Sequence, residues 1–103
     1  MHKERVSESI SIGGVTPKYS TARSLHRDDS CVFQWVYTNG AGTGVVQVSC
    51  DGTNWDDLTD TTSPTFSGTG SHTFDVYDTA VMSVRIKFTS GSTMSGTLHF
   101  ASR

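Results

Sequence analysis

The stretch VVQVSCDGTNWDD, residues 45–57, brings a thiol, an indole and, after the cysteine, four acidic or amide side chains into one short segment. Asp51, Asn54, Asp56 and Asp57 could offer oxygen ligands to Ca²⁺, and the ring of Trp55 could stack on a sugar. The spacing argues against a cation. An EF-hand loop needs acidic or amide groups at alternate positions and a Glu at the twelfth, a pattern this segment lacks. Asp51-Gly52 follows an alternating apolar run, which is how a hairpin turn is written. The segment predicts a turn that holds no metal, with Trp55 capping one end of the core.

The remaining reactive residues form no recognisable constellation. Cys31 and Cys50 are the two cysteines, and neither a Cys-x-x-Cys nor a His-x-x-x-His accompanies them to complete a zinc site. His2, His26, His72 and His99 are scattered. Catalysis at His72 or His99 would need a nucleophile and an orienting acid, and no motif gathers them. No glycine-rich phosphate loop opens a helix. No catalytic, cofactor or metal residue is assigned, and the chain is expected not to be an enzyme.

Strict alternation dominates the elements that must carry these residues. In 80–89, Met82, Val84, Ile86 and Phe88 share one face, and Ser83, Arg85, Lys87 and Thr89 share the other. Residues 96–100 turn Leu98 and Phe100 inward, and 71–77 set His72, Phe74 and Val76 against Thr73, Asp75 and Tyr77. Ile10 and Ile12 sit at strand spacing. Turn residues punctuate these runs every 8–12 residues or so, a rhythm of sandwiches and barrels. Thirty Ser and Thr, ten Val and ten Gly, against three Leu and four Ala, agree with an all-β chain. At 103 residues it is one domain, able to hide roughly 60 to 70% of its unfolded surface.

CVFQWVY (31–37) and GVVQVSC (44–50) flank TNGAGT, six turn formers. A symmetric hairpin would oppose Tyr37 to Gly44, Trp35 to Val46, Phe33 to Val48 and Cys31 to Cys50, all on the apolar face. The thiols would then be buried neighbours or a cross-strand disulfide.

The net charge of −2 is unevenly spread: residues 1–27 balance to +3 and residues 28–103 to −5. A basic arm beside an acidic body suggests an arm over residues 1–7, flexible alone, whose Lys3 and Arg5 could bind a neighbouring copy. Dispersed charges without an aromatic platform argue against nucleic acid. No apolar run approaches a membrane span, and MHKERVSES does not read as a signal peptide, so a soluble chain made in a cytoplasm is expected.

VQVSCDGTNWDDL (46–58), followed by SGTGSHTFDVYDTAVMSVRIKFTSGSTMSGTLHF (67–100), resembles small β-sandwich virion proteins of tailed bacteriophages. Such chains run from a strand through Ser-x-Asp-Gly-x-x-Trp-x-x-Leu and a variable link to a Val-Arg-hydrophobic strand and a Gly-Thr-Leu hairpin. The similarity covers roughly residues 8–101. Cys50 stands where a polar residue such as Asn is more usual. The resemblance implies a non-enzymatic structural or adhesive role on a virion, as decoration, neck, tail or fibre component. It implies assembly with itself, trimer before dimer, and with other virion proteins. The expected architecture is an antiparallel sandwich over 8–103, jelly-roll-like, of about eight strands. The alternative is a carbohydrate-binding or receptor-binding module, for which Tyr19, Trp55 and Tyr77 would have to form the glycan platform.

Overall fold

The computed structural model describes residues 4–12, 17–25, 30–38, 40–58, 65–76, 83–90 and 94–102, and the statements below concern these. They form ten strands and no helix, in two antiparallel sheets. The four-stranded sheet runs β1 (Glu4–Ile12), β10 (Met94–Ser102), β4 (Cys31–Thr38), β8 (Gly70–Val76). The six-stranded sheet runs β2 (Lys18–Tyr19), β9 (Ser83–Ser90), β5 (Ala41–Ser49), β6 (Asp56–Asp57). β3 (Arg23–Ser24) also pairs with β9, and β7 (Thr65–Ser67) with β5.

The period-two pattern becomes the core directly. Ile10, Ile12, Phe33, Trp35, Phe74, Val76, Leu98 and Phe100 turn inward from the four-stranded sheet, and Val46, Val84, Ile86 and Phe88 from the other. Aromatic rings join the layers: Trp35 lies 4.7 Å from Phe88, and Tyr37 lies 5.0 Å from Phe66, centroid to centroid. Gly96 on β10 sits beneath the Trp35 ring, and a Cβ there would collide with the Val36 carbonyl oxygen. The buried Trp35 indole N–H has no hydrogen-bond partner among the described residues. Met82 lies outside them.

Three expectations are corrected. β4 and β5 are not a hairpin, because they belong to different sheets. The chain passes between them through Gly40, whose φ of 134° suits glycine, and their apolar faces meet across the core. Alternation specifies which side chains point inward, and a hairpin and a sheet-to-sheet crossing satisfy it equally. Trp35 and Val46 are therefore buried as foreseen, but on opposite sheets.

The thiol pairing falls with the hairpin. Cys31 opposes Ser102 and Val76 within its own sheet and is buried, Cys50 is exposed beyond β5, and neither is in a disulfide. Lastly, residues 4–7 are strand rather than arm. Val6 continues the inward series and packs on the core, and β10 is long enough to pair with the strand back to Glu4. Lys3 lies outside the described residues.

Candidate functional site

The turn after β5 is built by two side chains. The Asp51 carboxylate accepts the backbone N–H of Thr53 and of Asn54, each at 2.8 Å, and the Asn54 amide at 2.7 Å. Ser49 Oγ donates to Asp51 at 3.0 Å and accepts the N–H of Gly52 at 2.8 Å. Gly52, at φ 79°, supplies the left-handed step. These donors hold the Asp51 carboxyl well below the usual carboxylate range, the Asn54 and Thr53 N–H groups contributing most. The chain then returns as β6, pairing Gln47 with Asp57 and Val48 with Asp56, and Leu58 N–H donates to Val46 O at 2.8 Å. The sequence-predicted turn is thus a hairpin between β5 and β6. Among the described residues, no group of three or more His, Cys, Asp or Glu is placed to hold a metal.

The turn delivers Trp55 to the outer face of the six-stranded sheet rather than to the core end. There the indole and the phenol of Tyr19 clasp one guanidinium: Arg85 Cζ lies 4.1 Å from the Trp55 ring centre and 4.0 Å from that of Tyr19. Register explains the meeting. Tyr19 on β2 opposes Lys87, two residues along β9 from Arg85, and Arg85 opposes Gln47 on β5, which opposes Asp57 on β6. Arg85 Nε donates to Gln47 Oε1 at 2.9 Å, and Gln47 Nε2 donates to Asp57 Oδ1 at 2.9 Å. A donor at one end and an acceptor at the other fix the Gln47 amide orientation. Lys87 Nζ stands 3.7 Å from the same Asp57 oxygen. Gln47, 7% exposed, has both ends of its amide satisfied.

This arrangement can stack, donate hydrogen bonds and attract anions, and it presents no nucleophile beside a base. The alternation of 80–89 puts Arg85 on a wet face, and Tyr19 and Trp55 read as rings available to a sugar, but nothing in the sequence unites the three. One face of each ring is covered by the Arg85 guanidinium. Tyr77 lies outside the described residues.

On the other broad face, Arg5, Ser7, Gln34, His99, Val32 and Ala101 border a shallow trough of about 330 Å³. Ser7 Oγ and His99 Nδ1 are 2.7 Å apart, as directly opposed residues of β1 and β10. With no described carboxylate to orient the imidazole, this is a cross-strand polar pair. Glu8, on the inward side of edge strand β1, accepts Thr21 N–H and Oγ1–H at 3.0 Å each and lies 3.7 Å from Arg23. It ties the two sheets together at that edge.

No protein-family model and no curated protein matches the chain. Solved structures share its fold, among them the three that follow. The PBSX exported protein XepA matches with a TM-score of 0.67 and 16% identity, over 94% of this chain and 36% of XepA. A protein of the Bacillus endospore appendages, described as disulfide-linked pili, matches at 0.58 and 14%, over 99% and 88%. PirA matches at 0.59 and 14%, over 94% and 93%. This chain spans little more than a third of XepA. At such identities the likeness establishes the all-β, antiparallel fold.

Proposed function

We propose that this chain is a non-enzymatic structural subunit of a bacteriophage virion, working through protein contacts on its broad sheet faces. The observation that carries the reading is the Tyr19–Arg85–Trp55 clasp. Trp, Tyr and Arg are the side chains that dominate binding energy at protein interfaces, and here one of each is held rigidly on an outward sheet face.

Several features support it further. The outer face of β1 and β10 is rich in Ser and Thr and poor in charge, a surface that can meet protein without stranding ions. Counting β2 with β3 and β6 with β7 leaves eight strands, and their sheet orders suit a jelly roll, an architecture used by viral coats. XepA supplies a phage link, and the endospore appendage protein belongs to a pilus. The assembly is a homo-oligomer, trimer before dimer, docked on other virion proteins, made in the host cytoplasm and located on the particle. The glycan-binding alternative is weaker, because its Tyr19 and Trp55 stack on Arg85.

The test is immunogold labelling of particles released from the host, together with the genes flanking this one. Labelled particles and neighbouring capsid or tail genes are expected. Unlabelled particles and a locus of carbohydrate-degrading enzymes would contradict it.

A further inference from the structure

We infer that the Arg85 clasp is one half of a contact between copies of this chain, the other half being the Asp75 carboxylate on the opposite sheet of the next copy. The inference rests on the self-assembly reading above and names the surfaces that meet.

The clasp has unused capacity of a defined kind. Arg85 spends Nε on Gln47, and no described residue accepts from Nη1 or Nη2. That edge of a guanidinium is a planar pair of donors matched to a carboxylate. Two rings at 4.0 and 4.1 Å already fix the plane, so little side-chain freedom remains to be lost on docking.

The matching acid is chosen among the five carboxylates whose side chains the structure describes, Glu8, Asp51, Asp56, Asp57 and Asp75. Glu8 is bound to Thr21 and Arg23, Asp51 to its own turn, and Asp57 to Gln47 and Lys87. Asp56 and Asp75 have no described partner, and Asp56 lies on β6, the same sheet as the clasp. Asp75 is exposed on β8, at the edge of the opposite sheet, directly across from Val32.

Apolar surface is divided in the same way. The exposed large hydrophobic residues among those described are Tyr19, 42% exposed, and Val36, 38% exposed. Tyr19 belongs to the clasp. Val36 lies on the Asp75 face, opposing Ser71 on β8 and Thr97 on β10. The Asp75 face thus offers an unpaired carboxylate and an exposed apolar side chain to a clasp that offers a free guanidinium edge and an exposed ring. A contact between unlike faces is heterologous. It closes into a ring, such as a trimer, where the rotation between copies permits, and otherwise extends as a filament.

Sedimentation velocity of the full chain and of three variants decides the matter: Arg85→Asp, Asp75→Arg and the double exchange. Each single substitution is expected to weaken association by roughly 10- to 100-fold, and the double variant to restore most of it. Mixing the two single variants should restore contacts between unlike copies, where the Arg85 of one meets the Asp75 of the other. Melting curves show whether each variant is folded, and if Arg85→Asp is not, Asp75→Arg alone decides. Assembly of either folded single variant at wild-type strength would overturn the inference and leave the self-assembly reading standing. A wild-type chain that stays monomeric would overturn both.

Discussion

At the scale of single residues, Gly96 and the two cysteines have the clearest consequences. A side chain at 96 would drive into the Val36 carbonyl and the Trp35 ring, and backbone cannot yield as a flexible side chain can. Gly96→Ala is expected to cost about 2–4 kcal/mol, read as a lowered melting temperature by circular dichroism. Burial, with a smaller contribution from the Asp75 carboxylate, pushes the Cys31 thiol up to about 12, while Cys50 is exposed. An alkylating reagent at pH 8 should therefore label Cys50 in the native protein and Cys31 only after denaturation, as peptide mass spectrometry would register. The same raised value makes the folded thiol keep its proton where the unfolded one loses it. Stability should accordingly decline as pH rises above about 9. Labelling of both thiols at equal rates would show that the core opens readily around Cys31. Inward positions such as Trp35, Ile86 and Leu98 were legible because alternation alone assigns them. The role of Arg85 was not, because its partners Tyr19 and Trp55 stand 66 and 30 residues before it, and only the fold brings them together.

At the scale of elements, the β5–β6 hairpin depends on one carboxylate. Asp51 was legible as a turn residue from Asp-Gly, and its hydrogen bonds account for that signal. Its lowered pKa sets the sign of a pH effect. The charged form is favoured in the fold, so its contribution is full above the unfolded value of about 4 and is lost as pH falls toward the folded one. Asp51→Ala should lower the melting temperature at neutral pH, and the loss relative to wild type should shrink in strong acid. Because the turn carries Trp55, its emission should shift to the red in the same variant. The edge latch gives a second case. Glu8→Ala removes the acceptor for Thr21 and the partner of Arg23 and is expected to cost about 1 kcal/mol, measured by urea denaturation. The crossing from β4 to β5 was the element sequence could not settle. A short glycine-rich link between two strands with matched inward faces serves a hairpin or a change of sheet, and the inward pattern is the same in both.

At the scale of the whole molecule, the two sheets enclose one core and divide the surface into two broad faces of different character. One presents a guanidinium between aromatic rings, and the other presents Ser, Thr, Val36 and Asp75. The charge asymmetry of the sequence hinted at contact between copies, but it pointed to the N-terminal residues, and Arg5 instead belongs to a paired strand. The proposed assembly rests instead on the unlike pair of faces, which only the tertiary arrangement creates. Contacts of this kind should weaken with salt, since a charge pair lies at their centre. The most direct test is sedimentation velocity of the full chain over a wide concentration range, at low and high salt. Reversible association to a trimer or larger species, weaker at high salt, is the expected result. A single monomeric species at every concentration, in either salt, would contradict it.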